Sequence, residues 1–141
     1  MSGVVGIGCD LVRVARLQRL LEGRFSERFL KRAFHESEIA RVRAQLRQSR
    51  SGEAAQFAAS RWAVKEAVFK AIGGQWRLRF PDVYVESVER RPTLRFAGAT
   101  LQRMQAAGVT AQFVTISHED QYALAHVVLC GDRKQKTEQI Q

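Results

Sequence analysis

The sequence has 141 residues, a length that fits one domain, and 45% of them are hydrophobic, which is enough to fill a single core. Its 23 lysines and arginines outnumber 14 aspartates and glutamates, and the net charge of +9 favours an acidic partner: nucleic acid, an anionic membrane, a phosphate-rich ligand or an acidic protein. Two distant cysteines, Cys9 and Cys130, argue against a zinc site or a disulfide scaffold, and we expect a soluble, cytoplasmic protein because no stretch is apolar enough to be a signal peptide or a membrane span.

The first half of the chain predicts one strand followed by four helices. Alternating apolar residues predict a strand over residues 4–12, with Gly6, Gly8 and Asp10 on one face. Helical periodicity with its start and stop signals predicts helices at about residues 14–22, 26–34, 36–47 and 53–72.

The second half predicts hairpins and one short helix. The segments "DVYVESVE" and "TLRF" predict strands around the turn "RRP", and "ATLQRMQAAG" predicts a helix. A closing hairpin is predicted from "AQFVTISH" and "YALAHVVLC", joined by "EDQ". We therefore expect an α+β domain over residues 1–130, an antiparallel sheet with helices packed on one face, and a frayed polar tail over residues 131–141.

Glu66 lies between Lys65 and Lys70 on the predicted long helix. A Glu followed four residues later by a Lys is commonly a solvent-exposed ion pair worth about 0.3 to 0.5 kcal/mol. The functional alternative involves Asp10, a carboxylate that needs either a role as helix N-cap or a cation beside it. If Asp10 and Glu66 face each other, they suit Mg²⁺, which keeps several waters and prefers phosphate oxygens as further ligands. The sequence leaves open whether the two acids meet.

His118 in "TISHE" stands at a strand end, where a histidine can donate to a phosphate oxygen, take part in proton transfer, or be an ordinary surface residue. The first third of the chain is strongly basic. This character fits either a solvated helical face or a surface for an acidic partner, formed by Arg13, Arg16, Arg19, Arg24, Arg28, Lys31 and Arg32.

Four segments taken together resemble the holo-(acyl-carrier-protein) synthases, the small 4′-phosphopantetheinyl transferases. They are "GIGCDLVRVARL", "FLKRAFHESE", "RWAVKEAVFKAIG" and "VTISHEDQYALAHVVL", and the resemblance covers roughly residues 4–130. It implies transfer of phosphopantetheine from coenzyme A to a serine of an acidic apo acyl carrier protein, with 3′,5′-ADP as the other product, in fatty acid biosynthesis. It also implies a homotrimer with active sites shared between subunits.

The resemblance further implies roles for eight residues: Mg²⁺ ligands Asp10 and Glu66, coenzyme A contacts Arg61, Lys65, Lys70 and His118, and a carrier-protein surface with Arg16 and Arg24. The implied catalytic residues are Glu66, Lys70 and His118. The base that deprotonates the serine stays open among Glu66, a metal-bound water and Glu38.

The sequence also departs from the family pattern in two places. The segment "RRPTL" lacks the glycine of a G-x-P turn, and "GGQWRLRF" carries Trp76 and Arg77 at unusual positions, so the adenine contacts stay unassigned. Two rival interpretations are a small RNA- or DNA-binding module, which the positive charge alone supports, and a non-catalytic scaffold of the same fold.

Overall fold

The computed structural model describes residues 3–132, which form an α+β domain. The first half contains one strand and four helices, namely β1 (Gly3–Arg13), α1 (Val14–Glu22), α2 (Ser26–Ala33), α3 (Glu36–Arg47) and α4 (Ser51–Ala71). A 3₁₀ helix (Phe80–Asp82) precedes the second half, which contains β2 (Val83–Val88), β3 (Arg91–Phe96), α5 (Gly98–Ala106), β4 (Val109–Glu119) and β5 (Tyr122–Gly131). Among the described residues, no helix combines the length and the apolar character that crossing a bilayer requires.

The strands form two antiparallel sheets. One has three strands in the order β1-β5-β4, and the other pairs β2 with β3. Helices cover one face of the larger sheet, and α4 contacts all three of its strands. The antiparallel sheet with helices on one face is confirmed, although the β2–β3 hairpin forms a sheet of its own.

Most element boundaries agree with the sequence predictions to within a few residues. One difference is at the β2–β3 turn, where Glu89 and Arg90 have φ values of 50° and 65°. Two residues with positive φ make the tight hairpin turn that matches strand twist, so Arg91 and Pro92 belong to β3 and not to the predicted turn. The 3₁₀ helix was not predicted.

Helix α4 is the central element of the core, because small side chains let its neighbours approach it from several sides. Strand β1 packs directly against it: an ideal β-carbon on Gly6 would lie 2.1 Å from the carbonyl oxygen of Ala71. The alanines of α4 with 0% exposure are Ala54, Ala55, Ala58, Ala59, Ala63 and Ala67.

The opposite face of the three-stranded sheet is apolar and exposed. Val128 in the central strand β5 pairs with Ile7 of β1 on one side and with Phe113 of β4 on the other. The side chains of Ile7 and Phe113 are 67% and 59% exposed. Leu11, two residues farther along β1, is 61% exposed. Strand β5 continues to Gly131, one residue past the predicted domain end, and residues 133–141 of the predicted tail lie outside the described residues.

Candidate active site

Asp10 and Lys70 meet where β1 packs against α4. Lys70 Nζ donates to Asp10 Oδ1 at 2.9 Å and to the carbonyl oxygen of Cys9 at 3.0 Å. Asp10 is not a helix cap, since Arg13 occupies the N-cap position of α1 and makes no side-chain capping bond. The carboxylate of Asp10 within β1 is therefore paired with a lysine 60 residues away in sequence.

Glu66 lies one turn before Lys70 and is half-buried. Desolvation by burial raises the pKa of Glu66, and the negative charge of Asp10 raises it further, while Lys70 and Arg16 act in the opposite direction. Glu66 and Lys70 form no ion pair within residues 3–132, because the lysine is directed to Asp10. The charge of Asp10 thus acts on Glu66, and both carboxylates lie beside Lys70.

The pair of carboxylates fits Mg²⁺ better than it fits a metal held by protein alone. The described residues contain no group of three or more His, Cys, Asp or Glu side chains that could hold a metal ion. Mg²⁺ often binds through one or two carboxylates, with water and substrate phosphates as its other ligands. A cation between the two acids would also offset the repulsion that raises the pKa of Glu66.

The Asp10–Glu66–Lys70 cluster is one candidate site, and a cleft of about 310 Å³ between α3, α4 and β4 is another. We call this cleft the second cleft. The guanidinium groups of Arg41 and Arg61 each lie 4.4 Å from the centre of the Phe57 ring at this cleft. Burial lowers the pKa of Arg61, and its Nε has no hydrogen-bond partner within the described part of the chain. That Nε is enclosed by protein, so the positive charge of the two guanidinium groups is what makes this cleft suitable for an anion.

His118 lines this second cleft from the end of β4. Its Nδ1 lies 3.1 Å from Nε2 of Gln56 on α4. His118 also borders a groove of about 650 Å³ that extends around the β4–β5 turn to Leu11 and Tyr122. Neither concavity is lined by Asp10, Glu66 or Lys70.

Lys65 does not lie at a ligand-binding surface. It is 0% exposed, and its Nζ donates to Glu38 Oε2 at 2.8 Å, to the carbonyl oxygen of Phe80 at 3.2 Å and to that of Val83. All three N–H bonds of the ammonium are thus used inside the protein. The expectation that Lys65 contacts coenzyme A is corrected accordingly. Lys65 of α4 instead bonds to α3 and β2 in the interior of the protein.

Glu38 is equally enclosed, with 2% exposure. Its Oε2 accepts from Lys65 and from the backbone N–H of His35, where it completes a capping box at the start of α3. A carboxylate in this position is inaccessible to a hydroxyl group of another protein. Glu38 is therefore a structural residue and not a candidate for the general base.

The two arginines expected at a carrier-protein surface are both exposed. Arg16 lies 5.7 Å from the centre of the Trp62 ring, and Arg24 lies 4.5 Å from that of Phe25. Arg16 is also close enough to lower the pKa of Glu66. The basic surface of α1 thus adjoins the Asp10–Glu66–Lys70 cluster.

The sequence analysis missed two residues of the second cleft, Gln56 and Arg41. Glutamine and arginine are ordinary residues of exposed helical faces, so no local pattern distinguished them. They reach the cleft because α3 and α4 pack beside β4, which is a tertiary arrangement.

Comparison with known proteins identifies the family. A family model described as the 4′-phosphopantetheinyl transferase superfamily matches residues 6–127. Holo-[acyl-carrier-protein] synthase of Halorhodospira halophila is 40% identical over 130 residues, covering 89% of this chain and 97% of the relative. The chain belongs to the holo-[acyl-carrier-protein] synthase family, and it is an enzyme. The corresponding synthase of Alkalilimnicola ehrlichii is 42% identical over 129 residues, 89% of this chain and 96% of its own.

Solved structures of the family agree with the fold. Holo-ACP synthase from Plasmodium yoelii superposes with a TM-score of 0.80 at 24% identity, covering 94% of this chain and 99% of that one. The Bacillus anthracis synthase in complex with CoA (3′,5′-ADP) has a TM-score of 0.71 at 26% identity, with coverage of 92% and 98%. The Helicobacter pylori synthase in complex with coenzyme A has a TM-score of 0.69 at 25% identity, with coverage of 87% and 98%.

Proposed function

We propose that this enzyme transfers the 4′-phosphopantetheine group of coenzyme A to a serine of an apo acyl carrier protein, with Mg²⁺ as cofactor and 3′,5′-ADP as the second product. The observation that carries the proposal is the convergence of Asp10 and Glu66, from distant parts of the chain, beside Lys70. Relatives named as holo-[acyl-carrier-protein] synthases and structures bound to coenzyme A support the choice of substrates. The product would serve fatty acid biosynthesis.

In the proposed reaction, the serine oxygen attacks the β-phosphorus of the coenzyme diphosphate. The bond from this phosphorus to the bridging oxygen breaks, and the electron pair leaves with 3′,5′-ADP. Mg²⁺ bound by Asp10 and Glu66 would supply positive charge to the diphosphate oxygens. Two of the three N–H bonds of Lys70 are used by Asp10 and Cys9, and the third can donate to a phosphate oxygen.

The serine proton needs an acceptor, and the protein offers Glu66. Of the two carboxylates considered as the base, Glu66 is half-buried and Glu38 is enclosed. Burial and the charge of Asp10 raise the pKa of Glu66, which makes its carboxylate a better proton acceptor. A base that also ligates the metal would lose part of this basicity, so binding and proton transfer compete at this residue.

We place the anionic nucleotide end of the coenzyme in the second cleft. Arg41 and Arg61 supply positive charge there, which suits the phosphates of the coenzyme. His118 at the edge of the cleft can donate to another phosphate oxygen. Because the cleft is not lined by the Asp10–Glu66–Lys70 cluster, one coenzyme would contact both regions most simply across a subunit boundary.

A homotrimer with shared active sites accommodates this separation. The outer face of the β1-β5-β4 sheet exposes Ile7, Leu11 and Phe113, and a broad exposed apolar face usually marks a protein interface. Sedimentation velocity on the full chain tests the assembly. A monomer at micromolar concentration that nonetheless catalyses transfer would contradict it.

The acidic carrier protein would bind the basic surface that begins at Arg16 and Arg24. Positive charge continues along α2 into a groove of about 650 Å³ beside Leu78 and Phe80. The cations of this groove are Lys31, Arg32, Arg77 and Arg79. Complementary charge of this kind raises association rates and selects acidic partners.

One assay tests the whole proposal. The protein is incubated with apo acyl carrier protein, coenzyme A and Mg²⁺, and mass spectrometry of the carrier detects the added phosphopantetheine. Omission of Mg²⁺ with a chelator present should abolish the product. No modification under any of these conditions, together with salt-sensitive oligonucleotide binding, would support the nucleic-acid alternative instead.

A further inference from the structure

The His118 ring has a single side-chain hydrogen-bond partner within residues 3–132. Nε2 of Gln56 lies 3.1 Å from Nδ1 of His118. An amide nitrogen carries hydrogens and cannot accept, so Gln56 donates and Nδ1 accepts. A neutral imidazole whose Nδ1 accepts a hydrogen bond carries its one proton on Nε2.

We propose that Gln56 is a positioning residue that holds His118 in the Nε2–H tautomer, so that Nε2–H donates to a phosphate oxygen of the coenzyme. The inference rests on the proposed function for the identity of that acceptor. It also decides between the two roles that the sequence left open for His118. With Nδ1 occupied by Gln56 and Nε2 protonated, the neutral ring has no lone pair left for a substrate proton and acts as a donor.

The position of Gln56 suits this task. It is half-buried on α4 between the fully buried Ala55 and Ala58, so its backbone is held rigidly. The charged groups that face the same cleft are Arg41, Glu53 and Arg61, and none of them bonds to the His118 ring in the described residues. Gln56 is thus the group that sets which ring nitrogen carries the proton.

The tautomer can be measured without any activity. The measurement uses unliganded protein labelled with ¹⁵N-histidine at about pH 8.5, which is well above the ordinary pKa of histidine. The ¹⁵N spectrum should then show that Nδ1 of His118 is unprotonated and that Nε2 carries the proton. Gln56→Met removes the donor at similar size and should allow exchange between tautomers. Gln56→Glu replaces the donor by an acceptor and should move the proton to Nδ1. A wild-type spectrum with the proton on Nδ1 would overturn the proposal.

Kinetics test whether the tautomer matters. Gln56→Met should lower kcat/KM for coenzyme A by roughly 3- to 10-fold, the effect of one hydrogen bond, with an unchanged KM for the carrier protein. Gln102→Met makes the same chemical change on the exposed face of α5 and should have no effect.

A double-mutant cycle separates action through His118 from a general structural effect. In the His118→Ala background, Gln56→Met should cause no further loss, because the ring that it positions is absent. An equal loss in both backgrounds would refute the positioning role. If the protein does not use coenzyme A at all, the proposed function fails, and the tautomer measured in the unliganded protein is unaffected by that outcome.

Discussion

Gly8 of β1 lies so close to Ala67 of α4 that a β-carbon on the glycine would stand 2.0 Å from the alanine carbonyl oxygen. No real β-carbon tolerates this distance, so strand and helix touch through their backbones. This contact brings the end of β1 to α4 and places Asp10 beside Lys70.

Gly8→Ala should therefore separate β1 from α4. We expect a loss of about 2 to 3 kcal/mol in the free energy of unfolding, typical of overpacking, together with weaker catalysis because Asp10 moves. Urea denaturation measures the first effect. Gly52→Ala is the matched control, since a β-carbon there meets nothing within 4 Å. Equal stability of the two variants would show that the contact is looser than described.

Glu66→Gln should abolish most of the transfer activity without unfolding the protein. The change removes the proposed metal ligand and proton acceptor while preserving the size of a half-buried side chain. A decrease in kcat of about 100- to 1000-fold is expected. The same substitution at Glu86, exposed on β2, should leave activity intact. Near-normal turnover by Glu66→Gln would exclude the metal assignment.

The titration of Glu66 should respond to Asp10 and to Mg²⁺. Burial is the first cause of its raised pKa and Asp10 is the second, so Asp10→Asn should lower that pKa, and saturating Mg²⁺ should lower it in the wild type. Carboxyl ¹³C NMR follows both shifts. Because the folded-state pKa of Glu66 lies above the ordinary pKa of a glutamate, stability falls as the pH rises from that ordinary value through the folded-state pKa. Asp10→Asn should reduce this pH dependence.

Arg24→Glu should weaken carrier-protein binding with little effect on the chemical step. Arg24 contacts Phe25 and has no role in the pKa of Glu66, unlike Arg16, so its reversal tests the surface alone. We expect KM for the carrier to rise about tenfold at low salt, and the difference to shrink at high salt. Arg91→Glu on β3 is the control for net charge. A similar rise for both variants would indicate that overall charge, and not this surface, recruits the carrier.

Lys65→Met should destabilise the protein by about 3 to 5 kcal/mol, since it leaves the carboxylate of Glu38 buried without its ion-pair partner. The double substitution Lys65→Met with Glu38→Leu should recover much of the loss, because no uncompensated charge then remains. Urea denaturation of the three proteins measures the difference. If Lys65→Met were as stable as the wild type, the pair could not be buried as the structure has it.

Local chemistry was sufficient to predict most of the elements. The period of the apolar residues identified β1 and the helices α1 to α3, because an amphipathic element must bury one face wherever it lies. Helix α4 is buried on several sides, and its end was marked by Gly73 and Gly74. The same alternation placed Asp10 on the face of Gly6 and Gly8. The turn at Glu89 and Arg90 was missed because neither residue type usually adopts positive φ.

The sequence by itself determined the identity of the family and the run of helices and strands, and it singled out the two acids of the proposed site. Only the tertiary structure decided which of the two lysines beside Glu66 is buried in the core and which one pairs with Asp10. Lys65 and Lys70 both flank Glu66 on one helix, yet Lys65 is enclosed by α3 and β2, while Lys70 faces Asp10 and solvent. The physical reason is that helical periodicity specifies the direction of a side chain, whereas its charge partner and its access to water depend on the elements packed against that direction.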